Sequence, residues 1–267
     1  MRLSGKVAIV TGSTRGIGEG IARLFCAEGA KVVITGRDKS KGFSLSQELG
    51  RKSEYSARGC LFVPGDIRVK EDIIRLKEEA LSTFGSIDIL VNNAGISMPQ
   101  ALETMTEAAW KGIIDIDLNA VFQCSSVIGQ QMIKQKRGVI VNVSSIAAYH
   151  PFPGGGAYGA AKAGTIMMTK QYAMEWAKYN IRVNSVSPGL IRTPLTEKIY
   201  EDESVTQARI EMIPLRRIGR PEEVAYCVLF FCSEESAYIT GQDIIVDGGL
   251  TDNVYQGIPG RIASNKS

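Results

Sequence analysis

Along the chain, short runs of apolar, largely β-branched residues alternate with stretches in which apolar residues recur every three or four positions. Val7-Ala8-Ile9-Val10 is the first run; after a glycine-rich segment, Ile17, Ile21, Leu24 and Phe25 recur at helical spacing until Gly29 stops them. The same alternation predicts further strands over 31–35, 61–63, 87–91, 139–143, 181–187 and 244–246. Between them fall a polar helix, a helix through Ile73, Leu76, Ala80 and Phe84, a long helical region over roughly 105–135, and helices over 157–178 and near 221–232. Strands that are apolar almost throughout are buried on both faces, as in parallel sheets. Strict β–α alternation then implies an α/β fold, a doubly wound parallel sheet of about seven strands with helices on both faces.

The 267 residues suit one large domain or two small ones, at about 150 residues per domain. No Pro/Ser-rich linker, composition break or internal repeat divides them, so the pattern predicts one domain over 1–250 and a C-terminal extension over 251–267. Hydrophobic residues at 44% and charged residues at 22% exclude a disordered chain. A net charge of +3 is too mild for nucleic acid or an anionic membrane to be the main partner. Cys26, Cys60, Cys124, Cys227 and Cys232 are scattered, without a CxxC pair. With the single His150 they leave no zinc-site spacing; no metal is expected, and the cysteines read as free thiols of a reduced compartment. No apolar leader and no run near the ~18 apolar residues of a membrane span is present, so the expected location is the cytoplasm.

In an open parallel sheet, ligands bind beyond the carboxyl ends of the strands, where strand order reverses. The segment Thr11-Gly12-Ser13-Thr14-Arg15-Gly16-Ile17-Gly18 lies there, between the first strand and the first helix. Its glycines permit a tight turn and close approach of a pyrophosphate, and the helix N-terminus offers free N–H groups to phosphate. Asn92-Asn93-Ala94-Gly95, Ser144-Ser145, Tyr158-Gly159-Ala160-Ala161-Lys162, Pro188-Gly189 and Asp247-Gly248-Gly249 follow other strands or close the chain. The Gly-x-x-x-Gly-x-Gly spacing together with these segments resembles the short-chain dehydrogenase/reductase family over nearly the whole chain. The resemblance implies a Rossmann-type fold and hydride transfer between a nicotinamide and a ketone/secondary-alcohol pair.

Tyr158 and Lys162 stand four residues apart, on one face of a helix. A phenol is a poor acid–base catalyst at neutral pH, and an ammonium beside it favours the phenolate. Tyr158 is then fitted to pass a proton to or from the substrate oxygen, and Ser145 to donate a hydrogen bond to that oxygen. Ser144 competes for this role, but the thirteen residues from Ser145 to Tyr158 suit the resemblance better. The resemblance adds Lys162 as a holder of the nicotinamide ribose and Asn119 as the asparagine supporting a water in the proton relay. It also assigns Gly12, Ser13, Thr14, Arg15, Gly16, Ile17, Gly18, Arg37, Asp66, Ile67, Asn93, Tyr158, Lys162, Ile191 and Thr193 to the cofactor.

NAD enzymes place a carboxylate on the ribose 2′-hydroxyl, whereas arginine accommodates a 2′-phosphate. The family's NAD-selective acid would stand at Gly36, which has no side chain; Arg37 follows it, and Arg15 lies in the glycine loop. Two guanidiniums suit a phosphate dianion, favouring NADP(H) over NAD(H). Asp38 is the competing acid, unless it caps the next helix. Residues 190–215 should form a flap over a modest apolar pocket with an acidic rim. His150 either lines the substrate pocket or is an ordinary loop residue, and the tail Tyr255–Pro259 either reaches a neighbouring subunit or frays. The resemblance favours a homotetramer and a small carbonyl or alcohol substrate. Its more specific form is 3-oxoacyl-carrier-protein reductase, with Lys134, Lys136 and Arg137 meeting an acidic carrier. A non-catalytic dinucleotide sensor is the alternative from another class.

Overall fold

The computed structural model describes residues 1–52 and 59–253. Strands β1 (Val7–Val10), β2 (Lys31–Gly36), β3 (Cys60–Pro64), β4 (Ile89–Asn92), β5 (Gly138–Val143), β6 (Ile181–Pro188) and β7 (Asp243–Val246) form one sheet. Every pairing is parallel, in the order β3-β2-β1-β4-β5-β6-β7. The chain moves outward from β1 to β3, then crosses back to β4 on the other side of β1. That reversal opens a cleft beyond the carboxyl ends of β1 and β4.

The β-strand period of two sends alternate β1 side chains into two cores. Ala8 and Val10 pack with Ile21 and Phe25 of α1 (Gly16–Ala27), Leu45 and Leu49 of α2 (Lys39–Lys52), and Val228 and Phe231 of α9 (Pro221–Cys232). Ile9 packs with Ile73 and Leu76 of α3 (Lys70–Phe84), Ile128 and Met132 of α5 (Ala120–Gln135), and Trp176 of α6 (Ala157–Trp176). Helices therefore cover both faces, and each fully buried Leu, Ile or Phe contributes about 1.5–3 kcal/mol of transfer free energy.

The expected long helix over 105–135 is interrupted. Thr106 caps α4 (Glu107–Ile114) by accepting the Ala109 N–H at 3.2 Å, and a π turn, Asp115–Asn119, separates α4 from α5. The helix expected over 157–178 ends at Trp176, followed by a 3-10 turn and Asn180 in the left-handed region at φ 59°. Within 190–215 the chain carries α7 (Glu197–Tyr200) and α8 (Glu203–Met212). All five cysteines are free thiols. Among the described residues, no helix is long and apolar enough to cross a membrane. The tail Tyr255–Pro259 lies outside the described residues.

Candidate active site

The loop after β1 is held by the end of β4. Thr11 Oγ1 accepts the N–H groups of Asn93 and Ala94 at 3.0 and 3.1 Å, while Asn93 Nδ2 donates to the carbonyls of Thr11 and Gly12 at 2.9 and 3.2 Å. Gly12 has φ 62°, and a Cβ there would stand 2.7 Å from Ala94 Cα. A Cβ on Gly18 would stand 2.5 Å from the Gly12 carbonyl oxygen. These glycines keep a shallow backbone cradle at the first turn of α1, whose N–H groups lack intrahelical partners. Gly16, at φ 61°, faces Thr193 from the flap, with 3.5 Å from its hypothetical Cβ to Thr193 Cβ.

Ser13 departs from its expected role as a cofactor contact. It is fully buried; its hydroxyl donates to the Val10 carbonyl at 2.7 Å and accepts the Thr35 N–H at 3.0 Å. Its own N–H is donated to the Thr35 carbonyl at 3.2 Å. Both polar groups are spent joining the loop to β2, so the side chain faces the sheet and not the cleft. Asn93 serves the cradle by fixing the loop, and Ile67 and Ile191 turn their buried side chains into the cores.

At the end of β2, Thr14 fills the space beside Gly36: a Cβ on Gly36 would meet Thr14 Cγ2 at 2.9 Å. Arg15 and Arg37 each follow one member of this contact. Both are exposed, and neither guanidinium has a hydrogen-bond or ion-pair partner among the described residues. Asp38 caps α2, its Oδ1 accepting the Lys41 N–H at 3.0 Å. Asp66, after β3, is bound by Arg68, with Nε donating to Oδ1 at 3.0 Å; this bond holds its carboxyl below the usual range, with Arg37 adding a smaller pull. The glycine cradle and the free N–H groups of the first turn of α1 fit a dinucleotide.

The second half of the site joins β5, α6 and the π turn. Ser144 is buried and donates its hydroxyl to the Lys162 carbonyl at 2.9 Å. Ser145 is half-buried; its Oγ accepts the Ala147 N–H at 3.1 Å, leaving its own proton free for donation. Tyr158 is half-buried and its hydroxyl has no hydrogen-bond partner among the described residues. Lys162, 4% exposed, places Nζ 5.6 Å from the centre of the Tyr158 ring and donates to the Val143 carbonyl at 3.1 Å.

Asn119 is not brought to this cluster. It is exposed, and its Nδ2 donates to Asp115 Oδ1 at 2.9 Å. The interior position on the π turn belongs to Asp117, fully buried, with Oδ1 3.0 Å from Lys162 Nζ and Oδ2 accepting the Ile96 N–H at 3.3 Å. Two residues along a helix is roughly a half turn, so the two side chains diverge. Thr165 Oγ1 donates to the Asp117 backbone carbonyl at 3.0 Å, and any Cβ on Gly95 would collide with Asp117 Oδ1. Burial pushes the Asp117 carboxyl up against the pull of Lys162. For Lys162, burial works against the charge, but Asp117 and Tyr158 outweigh it and hold the ammonium above the usual lysine range. Sequence reasoning missed Asp117 and Thr165. The available signal was that Asp117 shares the apolar face of Ile113, Ile116 and Ala120.

A buried polar chain supports the cluster: Asn92 Nδ2 donates to Ser125 and Asn142 at 3.0 and 2.8 Å, and Asn142 Nδ2 donates to Thr169 at 2.8 Å. Every link is satisfied, so the chain specifies the register of β4, β5 and α6 without leaving a buried donor unpaired. His150 is exposed after the 3-10 turn that Ser145 caps. A cavity of about 580 Å³ lies nearby, lined by Leu102, Ala147, Tyr149, Phe152, Gly156 and Ala160 among others, but not by Ser145, Tyr158 or His150. Lys162 is likewise absent from its walls.

A nucleotide cradle at the sheet's reversal point, facing a serine–tyrosine–lysine cluster, defines a dinucleotide-dependent oxidoreductase. A family model described as enoyl-(acyl carrier protein) reductase matches residues 12–251. The chain is 43% identical to the 3-oxoacyl-[acyl-carrier-protein] reductase of Thermotoga maritima, over 94% of this chain and 99% of that one. It is 40% identical to dehydrogenase/reductase SDR family member 4 of Oryctolagus cuniculus, over 92% and 94% respectively. The crystal structure of a gluconate 5-dehydrogenase from Burkholderia cenocepacia, in complex with NADP and tartrate, superposes with a TM-score of 0.88 at 30% identity, covering 94% and 97%. The chain belongs to the short-chain dehydrogenase/reductase family, enzymes that act on CH–OH and keto groups with NAD(P).

Proposed function

We propose that this protein is an NADP(H)-preferring carbonyl reductase/dehydrogenase, with 3-oxoacyl compounds as the leading substrate class. The observation that carries the cofactor preference is the pair of unpartnered guanidiniums, Arg15 and Arg37, beside a Gly36 without a carboxylate and an Asp38 engaged as a helix cap. A bidentate arginine contact to phosphate oxygens is strong and directional. The glycine cradle and α1 N-terminus would hold the pyrophosphate, with Thr193 closing over Gly16 and Asp66 beside the adenosine half.

The bound nicotinamide supplies the hydride in reduction and accepts it in oxidation. In reduction, Ser145 donates a hydrogen bond to the carbonyl oxygen and stabilises the charge that develops there. The Tyr158 O–H bond breaks as its proton passes to that oxygen, and the phenolate is reprotonated from solvent. The net change is ketone plus NADPH plus a proton giving secondary alcohol plus NADP⁺. Lys162, anchored by the Val143 carbonyl, orients its charge toward the Tyr158 ring. The 3-oxoacyl class is supported by the Thermotoga maritima relative. Arg137 is paired with Asp88 at 3.1 Å, leaving Lys134 and Lys136 exposed for an acidic carrier.

Association into a homotetramer is part of the proposal, supported by Phe122 on α5 and Met167 and Met174 on α6, which are 54%, 64% and 81% exposed. Exposed apolar side chains on these two helices would be covered by a neighbouring subunit. Light scattering reads the mass directly. The test of function is fluorescence titration with NADPH and NADH separately, followed by reduction of ethyl acetoacetate, a small 3-oxo ester. Tyr158→Phe is expected to abolish turnover while leaving NADPH affinity within a few fold. Near-normal activity in that variant would overturn the acid–base assignment.

A further inference from the structure

We infer that Asp117 is a positioning residue whose carboxylate cancels the charge of Lys162 at Tyr158, thereby setting the pH limits of proton transfer; this rests on the acid–base reading of Tyr158 given above. Lys162 and Asp117 form the enclosed part of the cluster. Lys162 Nζ meets Asp117 Oδ1 from the π turn at 3.0 Å, the Val143 carbonyl from β5 at 3.1 Å, and the Tyr158 ring from its own helix at 5.6 Å. The loop after β4 contributes Gly95, which brings no charge, and Ser144 turns its hydroxyl to the Lys162 backbone. Among the described residues, Asp117 and Tyr158 are the titratable groups that act on the ammonium.

Asp117 is held for this purpose by more than the lysine. It sits within a π turn, a local device frequent at functional sites, on the buried face it shares with Ile113, Ile116 and Ala120. Thr165 ties its carbonyl to α6, and the Ile96 N–H engages Oδ2, so Oδ1 is left with Lys162 as its partner. A lone buried ammonium beside a phenol favours the phenolate; the same ammonium neutralised by a carboxylate does so much less. With Asp117 ionised, Tyr158 keeps its proton to higher pH. Carbonyl reduction then retains its proton donor into the alkaline range, and alcohol oxidation gains its base only at correspondingly higher pH.

The test is Asp117→Asn, which keeps the shape and the acceptor for the Ile96 N–H while removing the charge, with Asp117→Ser as a second uncharged variant. Two readouts are taken. One is the ultraviolet tyrosinate absorbance during a pH titration, each protein being compared with its own Tyr158→Phe counterpart so that the difference reports Tyr158. The other is the pH profile of kcat/KM for NADPH-dependent reduction of ethyl acetoacetate. In both variants the Tyr158 absorbance step and the alkaline limb of reduction should move together to lower pH, by about one unit or more. A purely structural Asp117 would instead lower the rate equally at every pH. Coincident titrations in wild type and both variants would overturn the inference. If the unmodified protein fails to reduce the ester, the functional reading fails, while the absorbance titration still decides the role of Asp117.

Discussion

Adjacent serines at the end of β5 have separable roles, and substituting each to alanine should separate stability from rate. Ser144 donates a 2.9 Å hydrogen bond to the Lys162 carbonyl in a fully enclosed position, 3% exposed. Ser144→Ala removes that bond without leaving the carbonyl bare, because the carbonyl lies inside α6. The cost is that of one buried hydrogen bond, about 1–2 kcal/mol. For a chain of this size each kcal/mol lowers Tm by roughly 2–4 °C. Ser145→Ala removes the acceptor for the Ala147 N–H at 3.1 Å, a loss of about 1 kcal/mol on the scale of helix caps. The two variants are therefore nearly matched in stability. Their rates should diverge: Ser145→Ala loses a donor to the developing oxyanion, worth about 10²–10³ in kcat, and Ser144→Ala loses little. Thermal denaturation followed by circular dichroism, beside steady-state reduction of ethyl acetoacetate, measures both quantities. A larger loss of kcat in Ser144→Ala than in Ser145→Ala would refute the assignment.

Arg37→Ala should weaken NADPH binding by about tenfold or more, the value of a charge-assisted hydrogen bond, and leave NADH within a few fold; equal losses would remove the phosphate role. Gly18→Ala should abolish binding of both cofactors, since its Cβ would stand 2.5 Å from the Gly12 carbonyl oxygen, and isothermal titration measures this. Glu223 takes two hydrogen bonds from Arg217 and accepts the Arg220 N–H at 2.8 Å; chiefly through Arg217 its carboxyl is lowered to about 2. A carboxyl lowered on folding adds stability above its unfolded value of about 4.3, lost as pH falls through the folded value. Glu223→Gln should therefore flatten the acid side of the stability curve between those limits, measured as urea midpoints against pH.

Most of the architecture was legible because parallel strands buried on both faces leave nearly unbroken apolar runs, and all seven appear within a residue or two of their expected bounds. The glycine loop was equally legible in outline. What its letters did not reveal was which way each side chain turns: Ser13 looks like a phosphate ligand, yet the Val10 carbonyl and Thr35 N–H claim it. Asp38 was open between ribose ligand and helix cap in the sequence; in the structure one of its oxygens caps α2 through the Lys41 N–H.

The displaced relay residue carries the more general lesson. Asn119 matched the asparagine of the resemblance, but it lies on an exposed side of the helix: Asp115 binds it, and Phe122 is 54% exposed. Asp117 falls instead among Ile113, Ile116 and Ala120, all buried. A charged residue on an apolar helical face requires a buried partner, because an unpaired charge there costs several kcal/mol. Lys162, which shares a helix face with Tyr158, is that partner. Periodicity and charge together were therefore sufficient to join Asp117 to Lys162, and resemblance alone was not. The π turn at Asp115–Asn119 lies outside what periodicity can express, since one widened turn changes the hydrogen bonding of a helix without changing its apolar content.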